Sequence, residues 1–320
     1  MKAAYITEQG GYDKFIYADV PEPTIGPDEV LVRIRAIGVN RRDTFERAGS
    51  HGMRMAGQQL IPGMDMAGEV EEVGAYVAHT KRFKKGDRVL GTGSGGSYAE
   101  YCRANMSRIH LMPDWMSFEE AAAIPTVYAA AWQALVVRAK ITFGEDVLVM
   151  AAGSGVGSAA IQIAKYAGCR VLTTASTDEK LGKAKALGSD IGINYKEFPE
   201  FSKVVQENTG GAGVDLIYEH IGQSVWDQCY RSLKRGGRLV TNGVTSGHLV
   251  QLHLGQLWSR EMTLIGATMH PDQDLPAIMK AAERKAIRGV VDRTFPLKEA
   301  AKAHEVLESN NFFGKLVLVP

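Results

Sequence analysis

Between residues 147 and 168 the chain reads VLVMAAGSGVGSAAIQIAKYAG. A short apolar run enters a glycine-rich turn. The turn opens into a segment with apolar residues at Ile161, Ile163, Ala164 and Ala167, so the order is strand, tight turn, helix. A turn of this kind presents backbone N–H groups and the positive end of a helix dipole, which together make an anion site. Two registers fit a G-x-G-x-x-G spacing loosely: Gly155, Gly157 and Ala160, or Ala152, Ser154 and Gly157. Spacing alone does not separate a phosphate-binding turn from one that only packs helix against strand. Its position between a strand and a helix favours the pyrophosphate of a dinucleotide.

From Asp146 onward strands and helices alternate: VLVMAA then SAAIQIAKYAG, RVLTTAS then DEKLGKAKALG, LIYEHIG then SVWDQCYRSLK, and GRLVTNG. Alternation of this kind predicts a parallel sheet with right-handed crossovers. Residues 1 to 118 have a different grain. VLVRIRAIGV (30–39) alternates with period two, and GEVEEVGAYV (68–77) and GDRVLGTG (86–93) are short runs bounded by glycine, as in a β-rich region. Ser117 followed by Glu120 gives a capping-box spacing ahead of the apolar stretch that runs to residue 139. The end, LKEAAKAHEVLESNNFFGKLVLVP, reads as a helix and a closing strand.

A chain of 320 residues has room for two domains, and 45% hydrophobic with 23% charged residues supports a large core. A net charge of +1 without a like-charge block gives no surface for nucleic acid or an anionic membrane. No apolar run reaches the roughly 18 residues of a membrane span, and MKAAYITEQG lacks a signal-peptide core. Cys102, Cys169 and Cys229 are far apart and odd in number, so they form neither a disulfide framework nor a metal pair. A cytoplasmic globular protein is expected.

The strand after the glycine turn indicates which dinucleotide would bind. RVLTTASTDEK (170–180) carries Thr174, Ala175 and Ser176 where an NAD site has an acid for the ribose 2′-OH. An acid would repel a 2′-phosphate; its absence admits one. Ser176 can hydrogen-bond to that phosphate and Lys180 can supply charge, so NADPH is the expected cofactor.

Several ordered segments together resemble one family: GVNRRDTFERAG (38–49), PGMDMAGEVEEVG (62–74), GDRVLG (86–91), AAAIPTVYAAAW (121–132), AAGSGVGSAAIQIAKYAG (151–168), DEKLGKAKALGSDIGINY (178–195) and FGKLVLVP (313–320). The chain resembles, over essentially its whole length, the medium-chain dehydrogenase/reductase superfamily, and most closely its zinc-independent quinone oxidoreductase branch. The resemblance implies an α/β fold: a Rossmann doubly wound parallel sheet plus a β-rich GroES-like catalytic domain. Residues 1–119 and 268–320 would form the catalytic domain and 120–267 the dinucleotide-binding domain.

Zinc members of the superfamily hold the metal with cysteine and histidine at positions matched here by Asn40, Met64 and Ala122. These lack the thiolate and imidazole ligands that zinc needs, and no four-cysteine structural loop is present, so no metal is expected. TNGVTSG (241–247), LWSREMTLIGATM (257–269) and DRTFPLKEAAKAHEVLE (292–308) resemble zinc-containing relatives equally well, which leaves open a descent from a zinc enzyme.

The resemblance also implies roles. Asn40 would donate to developing negative charge on a substrate oxygen, and Thr126 would contact the nicotinamide carboxamide. Asp43 and Asp65 are candidate polar residues of the cleft. Ser154, Gly155 and Val156 would line the pyrophosphate. Ser176, Lys180 and Tyr195 would surround the 2′-phosphate. His220, Asn242, Gly243 and Val244 follow later strands at the ligand-binding edge of the sheet, and Phe313 and Gly314 match a segment that returns to the cofactor. The expected reaction is zinc-free hydride transfer from NADPH to a quinone or related conjugated carbonyl. Two alternatives remain: a 2-alkenal, enone or enoyl-thioester reductase, for which Arg41, Arg42 and Arg54 would suit a thioester's phosphates, and an NADPH-binding structural or regulatory protein with little turnover. The family's habit of pairing cofactor domains edge to edge implies a homodimer.

Overall fold

The computed structural model describes residues 1–320. Its first segment holds β1 (Lys2–Tyr5), β2 (Ile16–Asp19), β3 (Glu29–Gly38), α1 (Arg41–Ala48), β4 (Asp65–Val73), α2 (Ala75–Thr80), β5 (Arg88–Thr92), β6 (Tyr101–Asn105) and β7 (Ile109–Leu111). Two helices follow, α3 (Phe118–Ala122) and α4 (Pro125–Trp132). The capping box at the start of α3 forms: Ser117 Oγ accepts the Glu120 N–H at 3.1 Å, and the Glu120 carboxylate accepts the Ser117 N–H at 3.4 Å. The apolar run to residue 139 is not one helix. Pro125, which cannot donate to a preceding turn, starts a second helix, and residues 133–138 loosen into a π-helical turn.

The middle of the chain alternates as expected: β8 (Asp146–Val149), α5 (Gly155–Tyr166), β9 (Arg170–Ala175), α6 (Asp178–Ala186), β10 (Ile191–Asn194), α7 (Phe201–Asn208), β11 (Val214–Glu219), α8 (Trp226–Ser232), β12 (Leu233–Thr241), α9 (Leu254–Ser259) and β13 (Thr263–Gly266). The chain then closes with α10 (Pro271–Glu283), β14 (Val291–Pro296), α11 (Ala300–Ser309) and β15 (Lys315–Val319).

Two compact units result, Met1–Ala129 with Pro271–Pro320, and Ala130–His270. Compared with the sequence reading, the first boundary lies ten residues later, inside α4, and the second lies at 270/271 rather than 267/268. In the first unit the order β14-β15-β3-β4-β5-β7, with β6 also paired to β3, makes a mainly antiparallel sheet. The C-terminal strand thus lies beside β3. Val30, Val32, Ile34 and Ile37 of β3 share one core with Leu316 and Leu318 of β15, each worth about 1.5–3 kcal/mol when fully buried.

The second unit is a six-stranded sheet ordered β10-β9-β8-β11-β12-β13, parallel throughout. Its central strands are buried on both faces, which is why they read as continuous apolar runs. The order reverses beside β8, and the carboxyl end of β8 at such a switch point is where open α/β sheets bind ligands.

Candidate active site

In the second unit the glycine turn is built from backbone. Ser154 caps α5: its Oγ accepts the Gly157 N–H at 2.9 Å and donates to Ala151 O at 2.9 Å. The first N–H to find an in-helix carbonyl is that of Ser158, bonded to Ser154 O. Gly155 and Val156 therefore present first-turn N–H groups for an anion. Gly157 must be glycine, since a Cβ there would lie 2.2 Å from Ala151 O. That is the close helix–strand approach served by the third glycine of the fingerprint, so the register is Ala152, Ser154 and Gly157. Ser154 lies where the sequence reading placed it, but its hydroxyl caps the helix, which leaves the backbone to meet phosphate.

Ser176, Lys180 and Tyr195 are brought together. Ser176 follows β9, and Tyr195 follows β10, its N–H bonded to Ala175 O at 3.1 Å. Thr177 caps α6 by accepting the Lys180 N–H at 3.3 Å, which sets Lys180 in the first turn beyond Ser176. No acid occupies the end of β9; Asp178 accepts instead from Asn194 Nδ2 at 3.0 Å.

His220 is not an open ligand. It is buried, and its Nε2–H donates to Met150 O at 3.0 Å. Burial pushes its pKa down to about 4, so the ring is neutral. It ties the carboxyl ends of β8 and β11 together. Asn242 is likewise committed, with Nδ2 donating to Tyr218 Oη at 2.9 Å and Ala130 O at 3.3 Å. Gly243 lies against His220, where a Cβ would come 2.6 Å from the backbone oxygen, and Val244 is exposed. Glu219, absent from the sequence reading, is buried and accepts the N–H groups of Ile221 and Gly222 and the Thr241 hydroxyl. It fixes the loops at the ligand-binding edge.

The first unit holds a different structure: a buried polar network. Asp65, at the start of β4, is wholly buried. Its Oδ1 accepts the Thr126 N–H at 3.1 Å and the Thr126 hydroxyl at 2.5 Å. Its Oδ2 accepts Asn40 Nδ2 at 3.0 Å and lies 3.5 Å from Lys315 Nζ. Lys315, 4% exposed, also donates to Val39 O at 2.6 Å and Asn40 Oδ1 at 2.5 Å. These partners fix the Asn40 amide orientation, since only its oxygen can face the lysine and only its nitrogen the carboxylate. Its second hydrogen goes to Gly38 O at 3.2 Å. Both amide hydrogens are therefore taken, and Asn40 is a scaffold residue, not a free donor to substrate oxygen as expected.

Asp43 is also removed from any cleft. It is wholly buried, with Oδ2 accepting the Asn40 N–H at 2.8 Å and the Tyr98 hydroxyl at 3.0 Å. Tyr98 Oη in turn accepts from His304 Nε2 at 2.9 Å. Burial pushes the Asp43 pKa up to about 7 and that of His304 down to about 3. Burial raises the Asp65 pKa and lowers that of Lys315, and each charge offsets only part of the effect for the other. Arg41 donates to Asn310 at 2.6 Å and Arg42 to Glu46 at 2.9 Å, so both have protein partners. Phe313 is buried, and its N–H donates to Asp292 at 3.0 Å. Gly314, with φ of +93°, forms the turn into β15.

Thr126 is the partly exposed member of the network. Its hydrogen is given to Asp65, so its oxygen has only lone pairs left to offer. The network presents an acceptor and no acid. A zinc ion does not fit here. Asn40 Oδ1 and Asp65 already face an ammonium, Met64 and Ala122 add no anionic donor, and no group of three His, Cys, Asp or Glu side chains is placed to hold a metal.

A Rossmann unit with a backbone anion site, joined in one chain to a GroES-like unit with a buried polar network, defines a pyridine-nucleotide-dehydrogenase type of architecture. Comparisons agree. Residues 26–114 match the family described as alcohol dehydrogenase GroES-like domain, and residues 155–284 match zinc-binding dehydrogenase. A quinone oxidoreductase from Sus scrofa is 33% identical over 329 residues, covering 100% of this chain and 98% of its own. A solved NAD-dependent alcohol dehydrogenase superposes with a TM-score of 0.94 at 35% identity, and a mycobacterial protein solved with NADPH gives 0.90 at 32%, each covering 100% of both chains. The chain belongs to the medium-chain dehydrogenase/reductase superfamily, in its quinone oxidoreductase-like branch.

Proposed function

We propose that the protein is a metal-free oxidoreductase that uses NADPH to reduce quinones or closely related conjugated carbonyls. One observation carries this reading. Asn40 has given both amide hydrogens to Gly38 and Asp65, and Thr126 has given its hydroxyl hydrogen to Asp65. No side chain of the network is left to polarise a carbonyl, and the donor set does not suit zinc, which would otherwise act as the Lewis acid. The acceptor must bring its own electrophilicity, and a conjugated dicarbonyl does.

The residues at the glycine turn fit a dinucleotide. Gly155 and Val156 would hold the pyrophosphate on backbone N–H groups, with Gly157 allowing the close approach. Ser176, Lys180 and Tyr195 would surround a 2′-phosphate at a strand end without the acid that would repel it. Bound NADPH supplies the hydride. The Thr126 oxygen, held as an acceptor by Asp65, suits the N–H of an amide such as a carboxamide.

The test is a substrate panel. Purified protein should oxidise NADPH with quinones and leave unactivated ketones unreduced. A preference for 2-alkenals or enoyl thioesters would move the substrate class, and binding without turnover on every acceptor would make this a nucleotide-binding structural protein.

No helix is long and apolar enough to cross a membrane, and the three cysteines are free and buried, as in a reducing compartment such as the cytoplasm. The protein forms a homodimer through β13. This strand ends the parallel sheet, its outer edge is unpaired, and Leu249, Leu254 and Trp258 just before it are 73%, 66% and 76% exposed. Gel filtration should give twice the chain mass, and Trp258→Glu should give a monomer.

A further inference from the structure

The network contains one residue whose presence the proposed reaction does not itself require: a lysine in the apolar strand KLVLV. We propose that Lys315 is the positioning residue of this site, a built-in buried cation that keeps Asp65 a carboxylate and so holds the Thr126 hydroxyl as a hydrogen-bond acceptor. The inference rests on the functional reading above for its consequence, though not for its geometry.

The geometry carries the charge assignment. Every approach to the Asp65 carboxyl is by a donor: Thr126 N–H and O–H on Oδ1, and Asn40 Nδ2–H and the Lys315 ammonium on Oδ2. A proton on Oδ1 would face two donors. A proton on Oδ2 would compete with the Asn40 hydrogen already there, and would reach toward a nitrogen 3.5 Å away, longer than a hydrogen bond of that type. Lys315 meets only acceptors, namely Val39 O, Asn40 Oδ1 and Asp65 Oδ2. Two of its hydrogens are bonded to Val39 O and Asn40 Oδ1, and the Asp65 carboxylate lies in ion-pair range of the ammonium. The ionisable groups that act on Asp65 are thus Lys315 from β15 and, without a bond, Asp43 from α1.

Two effects follow from this clamp. Lys315 fixes the Asn40 amide, which in turn braces Asp65. By keeping Asp65 anionic, it also leaves the Thr126 hydroxyl hydrogen no alternative acceptor. Without the ammonium, Asp65 would take up a proton at neutral pH and offer it to Thr126 Oγ1. The hydroxyl would then turn its own hydrogen outward. An amide N–H that the site had accepted would meet a donor instead.

The decisive experiment compares wild type with Lys315→Met, Lys315→Arg and the double variant Lys315→Met/Asp65→Asn, following kcat/KM for NADPH from about pH 5 to about pH 9. Wild type should show no limb from Asp65 in this range. Lys315→Met should lose about 10- to 100-fold at neutral pH, the scale of a displaced active-site contact. It should also gain an acid limb, with activity present above the raised Asp65 pKa and lost as pH falls through it. The limb should vanish in the double variant, whose residue 65 cannot titrate while Asp43 is unchanged, and Lys315→Arg should restore the wild-type profile. A uniform loss in Lys315→Met without a new limb would show that the lysine only packs, and would overturn the proposal.

If Lys315→Met does not fold, wild type decides alone. Carbon and nitrogen NMR of labelled protein should show Asp65 as a carboxylate and Lys315 as a slowly exchanging ammonium at neutral pH; a protonated Asp65 overturns the assignment. This arm needs no turnover, so a protein inert toward every acceptor would defeat the functional reading and leave the assignment standing.

Discussion

The two units place their polar atoms in opposite ways. The Rossmann unit builds its anion site from backbone: first-turn N–H groups of α5, a serine that serves only as cap, and a glycine whose Cβ, if it had one, would lie 2.2 Å from Ala151 O. The GroES-like unit builds its site from side chains, buried and mutually satisfied, with Asp65, Thr126 and Lys315 drawn from β4, α4 and β15 and Asn40 from the turn before α1. A backbone site tolerates change at every side chain except its glycine and cap. A buried charge network tolerates little, because any deletion leaves a partner without its counter-charge in a dry interior.

Deleting the centre of the network should therefore cost most. Asp65→Ala strands Lys315 without its carboxylate, and urea unfolding should show a loss of about 3–5 kcal/mol. A loss under about 1 kcal/mol would mean that water reaches the lysine and that the two sites tolerate deletion alike.

Asp43 gives the next effect, and it depends on pH. Its carboxyl titrates at about 7 in the fold against about 3.9 when unfolded. The folded pKa is the higher, so the contribution is fully present below about pH 4 and is lost as pH rises through about 7. The span corresponds to about 4 kcal/mol. Asp43→Asn should flatten this part of the stability profile, and an unchanged slope would place the titration elsewhere.

On the Rossmann side the effects on stability should be smaller. Gly157→Ala must push α5 from β8, for about 1–3 kcal/mol of stability and a clear loss of NADPH affinity by calorimetry. Ser154→Ala removes only a cap, about 1 kcal/mol, with the backbone donors still in place. If Ser154→Ala weakened NADPH as much as Gly157→Ala, the hydroxyl would be a ligand and the backbone account would be wrong.

The same contrast explains what could be read in the sequence. A backbone site is local, so its strand, turn and helix stand together in VLVMAAGSGVGSAAIQ, and the alternation after Asp146 showed the parallel sheet directly. Asn40, Asp65 and Thr126 were singled out through the resemblance, but their roles were not legible. Which atoms remain free depends on Lys315, 275 residues from Asn40 along the chain. A lysine inside FGKLVLVP was the available signal, a charge in a strand whose other residues are apolar. Tyr98 and His304 gave none, since an aromatic residue and a lone histidine on an amphipathic helix read as ordinary core. His220 misled for the opposite reason: its place after β11 at the ligand edge was right, and its ring faces the backbone.

The central claim is that this chain works with NADPH and without a metal, because its polar groups are already spent on one another. The most direct measurement is quinone-dependent oxidation of NADPH, with NADH alongside, by protein dialysed against EDTA. The account predicts undiminished turnover after EDTA and a preference for NADPH. Activity that is lost with EDTA and restored by zinc, or a preference for NADH, would contradict it.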